Sequence, residues 1–360
     1  MSLPLLNTSL TPPTPDQFED VNCYHCGADA STYLLTGQDD LTGKPGGFTY
    51  VTCDSCGLVY QTPRLKIEHI GDWYDDDYIA HRRKKDWGIL TKFYQRGMDK
   101  HDRQKDKLIS RYIKLNSESR VLDVGSGSGS FLQRLRQQYN CSAGGIDFKD
   151  LSDLPFYDGV DFHHGLFYNV PLADNSCDLV TMWHFLEHDY DPVQTLETAA
   201  RVLKPDGRLV IEVPRLDCVT YRMFGKRWPG VQAPQHTVLY SREMLLKFAE
   251  RSGLEVVDYL PWGAFPAYFY LFAGTAFLFL RGRGLNLQRA IYPYALGQLL
   301  MSPLLLFERQ LNLSMQTIVC RPSAEAAVHS GSRNRNVTCR GIIGLRIVTA
   351  QMDTTTFLPR

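Results

Sequence analysis

The stretch RVLDVGSGSGSFL at residues 120–132 decides the fold. Its first half, VLDV at 121–124, is an apolar run with β-branched residues, short enough for a buried strand of a parallel sheet. Gly125, Gly127 and Gly129 then alternate with serines, and Phe131, Leu132, Leu135 and Tyr139 fall at helical spacing. The pattern predicts a strand, a glycine turn and a helix. Glycine tolerates positive φ and lets the backbone approach a ligand, while a helix start offers unpaired N–H donors, so this is a cradle for a nucleotide-type ligand. The dinucleotide spacing Gly-x-Gly-x-x-Gly is not met, because the third glycine comes one residue early and Ser130 stands in its place.

These residues resemble motif I of the class I S-adenosylmethionine-dependent methyltransferases, D-x-G-x-G-x-G after a strand. The resemblance implies a Rossmann-like doubly wound α/β sheet in which Asp123, Gly125, Gly127 and Gly129 hold the amino-acid end of S-adenosylmethionine. It also implies an acid for the ribose hydroxyls at the end of the next strand, and GGID (144–147) puts Asp147 there. Further blocks follow in order. DNSCDLVTMWHFLEH (174–188) looks like the fourth strand and its loop, and RVLKPDGRLVIEVP (201–214) looks like the next helix, turn and fifth strand. Residues 228–254, with P-x-H at 234–236, are similar to a bacterial subgroup that includes sugar C-methyltransferases and ubiquinone O-methyltransferase-like enzymes. On the same resemblance Trp183, in the loop after the fourth strand, joins the cofactor residues.

That loop also holds His184, Phe185, Glu187 and His188. His-x-x-Glu-His matches an inverted zinc-protease signature, but such a site needs a helix presenting both histidines and a third ligand, whereas here the motif follows a strand. A loop histidine suits a general base near neutral pH or simply orders the loop. His184, nearest the strand end, is the first candidate, and His188 reads as structural. The loop 228–240 lies after the fifth strand and makes His236 a second candidate, with loop fixation as the alternative. Ser241 reads as the N-cap of the helix that follows.

Nearer the N-terminus, Cys23-x-x-Cys26-Gly and Cys53-x-x-Cys56-Gly flank a turn-rich stretch. Four thiolates at this spacing close a tetrahedral Zn²⁺ site, and a ribbon of about 40 residues buries too little core to fold without such a staple. The ion is expected to be structural, because four protein ligands leave no position open. The chain has 360 residues with 39 basic and 39 acidic side chains, which argues against holding nucleic acid by bulk charge and favours a small-molecule or lipid acceptor. No basic, apolar leader precedes residue 20, so a cytoplasmic protein is expected, with its nine cysteines as thiols or metal ligands.

The expected organisation is a disordered lead over 1–20, the zinc ribbon over 21–62, a helical linker over 63–118, a methyltransferase domain over 119–322, and a disordered tail over 323–360. In the linker, 81–114 carries twelve basic side chains against four aspartates, reading either as a phosphate- or membrane-facing patch or as a solvated helical face. Segments 254–260 and 313–321 read as strands, and on the family resemblance they form the antiparallel pair that ends the sheet. Between them, 262–308 contains two uncharged runs, 262–280 and 291–307, separated by Arg281, Arg283 and Arg289. This C-terminal apolar helical hairpin reads as lying in the cytoplasmic leaflet, with a homodimer interface or an active-site lid as the alternative. The expected function is methyl transfer from S-adenosylmethionine to a small-molecule or lipid-linked acceptor of sugar or quinone type. The rivals are an rRNA methyltransferase guided by the ribbon and a non-catalytic zinc-ribbon scaffold.

Overall fold

The computed structural model describes residues 11–74 and 89–324. The strands, in chain order, are β1 (Phe18–Glu19), β2 (Ser31–Gly37), β3 (Phe48–Cys53), β4 (Val59–Gln61), β5 (Arg64–Leu65), β6 (Arg120–Val124), β7 (Ser142–Asp147), β8 (Asp161–His164), β9 (Cys177–Trp183), β10 (Leu203–Pro214), β11 (Val238–Leu239), β12 (Leu254–Leu260) and β13 (Met315–Pro322). The helices are α1 (Ile67–Ile70), α2 (Ile89–Ile109), α3 (Ser130–Tyr139), α4 (Pro192–Val202), α5 (Val219–Phe224), α6 (Arg242–Arg251), α7 (Ala267–Leu280), α8 (Leu287–Leu305) and α9 (Glu308–Leu311).

The central sheet has seven strands in the order β12-β13-β10-β9-β6-β7-β8. Strands β6 to β10 pair in parallel, and β13 runs antiparallel to both β10 and β12. The strands expected at 121–124 and 254–260 and the reversed last strand are all present, the first extended by Arg120. The inner strands are apolar on both faces because helices cover both: Val121, Val124, Val180, Met182, Leu209 and Ile211 are fully buried. Strand order reverses at β6, whose neighbours are β7 on one side and β9 on the other, so the crevice at the carboxyl ends of β6 and β9 is the place for a ligand.

Two helix starts follow from sequence chemistry. Asp191 caps α4 by accepting from Gln194 N, with Pro192 in the first turn, and Ser241 caps α6 by accepting from Met244 N, as its position predicts.

The cysteine-bearing segment forms a second sheet, in the order β11-β4-β3-β2. Its last strand comes from elsewhere: Val238 pairs with Tyr60 and Leu239 with Val59. The ribbon is thus completed by the loop that carries His236. Part of the expected disordered lead is ordered. Residues 18–19 pair with 64–65, and the Phe18 ring lies 6.2 Å from Phe48, because the pairing gives an otherwise aperiodic stretch backbone partners and a core contact. Most of the predicted tail, 325–360, and residues 75–88 of the acidic and basic runs lie outside the described residues.

The insertion between β12 and β13 is helical, as expected. Helix α7 has 14 residues, which at 1.5 Å each is about 21 Å, well short of a ~30 Å bilayer core. Helix α8 carries Pro293 and Pro303 inside it. Among the described residues no helix is long and apolar enough to cross a membrane. Ala273 and Phe277 of α7 cluster with Leu41 of the ribbon, Leu285 and Ala290, while Phe279, Leu299, Leu300 and Leu306 point into solvent at 70–81% exposure.

Candidate active site

The glycine loop follows β6 at the switch point. Gly125, Gly127 and Gly129 have φ of +72°, +52° and +76°, left-handed values that a side chain would strain, and a Cβ on Gly125 would stand 2.6 Å from the Phe185 ring. Gly129 is the N-cap of α3, whose first turn therefore faces the crevice. Tyr157 braces the loop by donating to Gly127 O at 2.8 Å, and its hydroxyl lies 2.7 Å from Ser126 Oγ.

Both acids singled out from sequence lie at this edge. Asp123 is buried, accepts from Thr181 Oγ1 at 2.5 Å, and is pushed up to about 6 by burial. Asp147 ends β7 and is held by Gly127 N at 3.0 Å and Lys149 N at 3.1 Å, which ties the second acid to the glycine loop itself. Trp183 ends β9; its ring meets Phe131 edge-on at 5.8 Å, Lys105 Nζ lies 5.2 Å from both rings, and its indole N–H is buried without a hydrogen-bond partner. A cradle in which a Cβ would clash, next to an orphaned donor, fits the amino-acid and nucleoside parts of S-adenosylmethionine.

His184 takes φ +55° just past β9 and is clamped between two buried carboxylates. Its Nε2 lies 3.2 Å from Glu212 Oε1 and its Nδ1 3.6 Å from Glu187 Oε1. Glu212 is fixed in turn by Ala264 N at 2.6 Å and Phe265 N at 3.0 Å. Burial disfavours charge on all three groups, but their attraction prevails: Glu187 and Glu212 together lift His184 to about 9, and His184 in turn drops Glu212 to about 2. At neutral pH His184 is therefore an imidazolium, a donor and not a proton acceptor. Its Nε2 is off the line of a good hydrogen bond to Glu212 and has no hydrogen-bond partner.

His236 and His188 stand on the other side of Glu187, with ring centroids 4.5 Å apart. His236 is buried and its Nδ1 is 2.8 Å from Gly230 O; His188 Nδ1 is 3.0 Å from Gln235 O and 2.9 Å from Tyr74 Oη. Both rings are held neutral by burial, His188 at about 3. His188 sits in a single 3-10 turn (Leu186–His188), and α4 begins only at Pro192.

Three residues of this region escaped sequence reasoning. Glu212 lies inside the apolar run LVIEVP, where a lone acid was the available signal. Phe265 stacks edge-on to His184 at 4.9 Å and to His101 at 5.7 Å. His101 belongs to the basic helix α2 and is pulled down to about 3 by burial; nothing in its sequence surroundings distinguishes it.

The ribbon brings its four cysteines together. Cys23 and Cys56 sulfurs are 3.4 Å apart, Cys26 and Cys53 sulfurs 3.5 Å apart, and all four lie within 4.8 Å of one another. Four sulfurs at about 2.3 Å from a tetrahedral Zn²⁺ would stand about 3.8 Å apart, so the cluster fits such an ion closely.

Residues 94–259 match a family model described as a methyltransferase domain. A Mycolicibacterium smegmatis protein described as a probable S-adenosylmethionine-dependent methyltransferase is 32% identical over 107 residues, covering 29% of this chain and 38% of that protein. A ubiquinone/menaquinone biosynthesis C-methyltransferase of Geotalea uraniireducens is 30% identical over 129 residues, covering 32% of this chain and 55% of its own. The chain thus spans about half or less of the length of these curated relatives. Among solved structures, geranyl diphosphate C-methyltransferase from Streptomyces coelicolor overlays with a TM-score of 0.43 at 13% identity, over 61% of this chain and 76% of that one. Together with the strand order and the glycine loop, the family match makes residues 94–259 a methyltransferase domain of the class I type, with S-adenosylmethionine as its cofactor.

Proposed function

We propose that the chain methylates a lipid-linked or membrane-dissolved acceptor of quinone or sugar type, and that the ribbon cysteines hold one structural Zn²⁺. The observation that carries the acceptor class is the hairpin inserted between β12 and β13. It leaves Phe279, Leu299 and Leu306 largely exposed, yet its base reaches the site through Phe265, which packs on His184 and also touches Phe269 and Tyr270 of α7. An apolar outer face on the element whose base packs against the site suits a substrate that stays in the headgroup region. The relative in quinone biosynthesis supports the same class.

Bound S-adenosylmethionine supplies a sulfonium methyl that is already activated. Asp123 and the Gly125–Gly127–Gly129 loop would bind its amino-acid end, Asp147 its ribose hydroxyls, and Trp183 would border it. His184, charged and held between Glu187 and Glu212, would place its positive charge beside an acceptor oxygen, and so contributes alignment for in-line transfer. Its charge makes it a positioning cation where the sequence suggested a base. His236, anchored on Gly230 O beside Glu187, belongs to the buried cluster and not to the acceptor face.

The test is transfer of labelled methyl to total lipid extract and to water-soluble metabolites, together with flotation on vesicles containing anionic lipid. Label in the lipid fraction, with flotation lost in a Leu299→Glu/Leu306→Glu variant, is the expected outcome. Label only in the soluble fraction, with no flotation of the intact chain, would overturn the lipid reading and leave the methyltransferase domain assignment standing.

A further inference from the structure

The sequence argued against a metal at His-x-x-Glu-His because that motif lacked a helix and a third ligand. The fold supplies the third ligand from another direction. One ligand atom each from Glu187, His188 and His236 lie within 4.8 Å of one another, although His236 is 48 residues further along the chain. Two loops are sewn together to achieve this. Thr237 N donates to Glu187 O at 2.8 Å, and Thr237 Oγ1 donates to Asp189 O at 2.7 Å.

Each imidazole is set as a ligand should be. Gly230 O accepts only, so the His236 Nδ1 that faces it at 2.8 Å carries the proton and Nε2 is that ring's lone-pair nitrogen; His188 Nδ1 faces both Tyr74 Oη at 2.9 Å and Gln235 O at 3.0 Å, and the Gln235 carbonyl, which can only accept, puts the proton on Nδ1 there too. A backbone carbonyl on the far nitrogen is the usual outer support of a metal-bound histidine. The carboxylate gives the second, independent observation. Glu187 is 1% exposed, and neither of its oxygens has a hydrogen-bond partner. Its nearest cation, His184 Nδ1 at 3.6 Å, is beyond hydrogen-bond reach and is shared with Glu212. A buried carboxylate left so is costly unless a cation completes it.

We infer that Glu187, His188 and His236 form a second metal site, separate from the cysteine cluster, which takes a divalent transition-metal ion such as Mn²⁺ or Zn²⁺. Two imidazoles and one carboxylate make a harder donor set than four thiolates, so the two sites sort ions differently, with Mn²⁺ favouring this one. Three protein ligands also leave coordination positions open for an oxygen ligand, which the cysteine site does not.

The experiment titrates the full-length, zinc-replete chain with Mn²⁺, following free Mn²⁺ by electron paramagnetic resonance and total metal by elemental analysis. The expected result is one saturable equivalent beyond the cysteine-bound zinc, seen either as Mn²⁺ or as a second Zn²⁺ already present. Affinity should fall at least about tenfold in both Glu187→Gln and His236→Gln, with the cysteine-bound equivalent retained. Two independent variants guard against misfolding of one, and circular dichroism checks both. A total of one metal equivalent with no saturable Mn²⁺ uptake, or equal uptake by the wild type and both folded variants, would overturn the site.

Discussion

The two larger sheets of this chain are stabilised in different ways. The seven-stranded sheet supplies most of its own core: strands β6, β9, β10 and β13 give each other apolar neighbours, the helices between them close both faces, and the ribbon adds Cys23, Val51, Cys53, Leu58 and Tyr60 to one of the two clusters. The cysteine-bearing sheet has only three strands of its own and borrows β11 from the loop after β10, a hydrogen bond from Gln61 N to Thr237 O, and a contact between Leu41 and α7. Where a sheet is self-sufficient, local sequence suffices to read it; where it is borrowed, its stability and that of the site beside it are linked. Tyr50 of β3 donates to His236 O at 2.6 Å, so the ribbon buttresses the candidate active site as well as closing itself.

That linkage predicts the largest effect. Cys23→Ser should release one metal equivalent and lower the melting temperature of the whole chain by roughly 10 °C or more, since a structural ion is worth several kcal/mol and each kcal/mol moves a domain of this size by about 2–4 °C. Calorimetry checks it. Two separate transitions, with the main one unmoved, would show the sheets to be independent.

The His184–Glu212 pair lies at the carboxyl edge of the seven-stranded sheet and should give an intermediate effect. A histidine lifted from 6.5 to about 9 adds stability that is fully present below pH 6.5 and is lost as pH rises through about 9. A glutamate lowered from 4.5 to about 2 adds stability that is present above pH 4.5 and is lost as pH falls through about 2. Denaturant titrations should therefore show a loss of about 2–3 kcal/mol between pH 6.5 and 9.5. Glu212→Gln should reduce that loss, because one of the two carboxylates on His184 is gone. An identical slope in the variant would remove the pair from the account. At the small end, Ser241→Ala should cost about 1 kcal/mol through the lost α6 cap, without changing metal content.

The same contrast explains what was legible beforehand. The strand at 120–124, Asp147 at a strand end, the cap at Ser241 and the strand at 254–260 are each written within a few residues by apolar runs, glycine or a capping hydroxyl. The pairing of Val238–Leu239 with Val59–Gln61 was not, because a two-residue strand has no period and its partner lies more than 170 positions away. The charge on His184 was invisible for a similar reason. It depends on Glu187, three residues on, but also on Glu212, 28 residues further on, whose side chain reads in sequence as a single polar interruption of an apolar strand. The four cysteines were legible as a set because their spacing repeats, whereas Glu187, His188 and His236 meet only through tertiary contacts.

The crevice at the carboxyl ends of β6, β7 and β9 is expected to hold S-adenosylmethionine through the glycine loop and Asp147. Isothermal titration of the full chain with S-adenosylhomocysteine tests it most directly, using wild type and Asp147→Asn with circular dichroism as a check on folding. One bound equivalent in the wild type, weakened about 10–100-fold by loss of the carboxylate charge, is the predicted result. No binding by the folded wild type, or equal affinity in the two proteins, would contradict it.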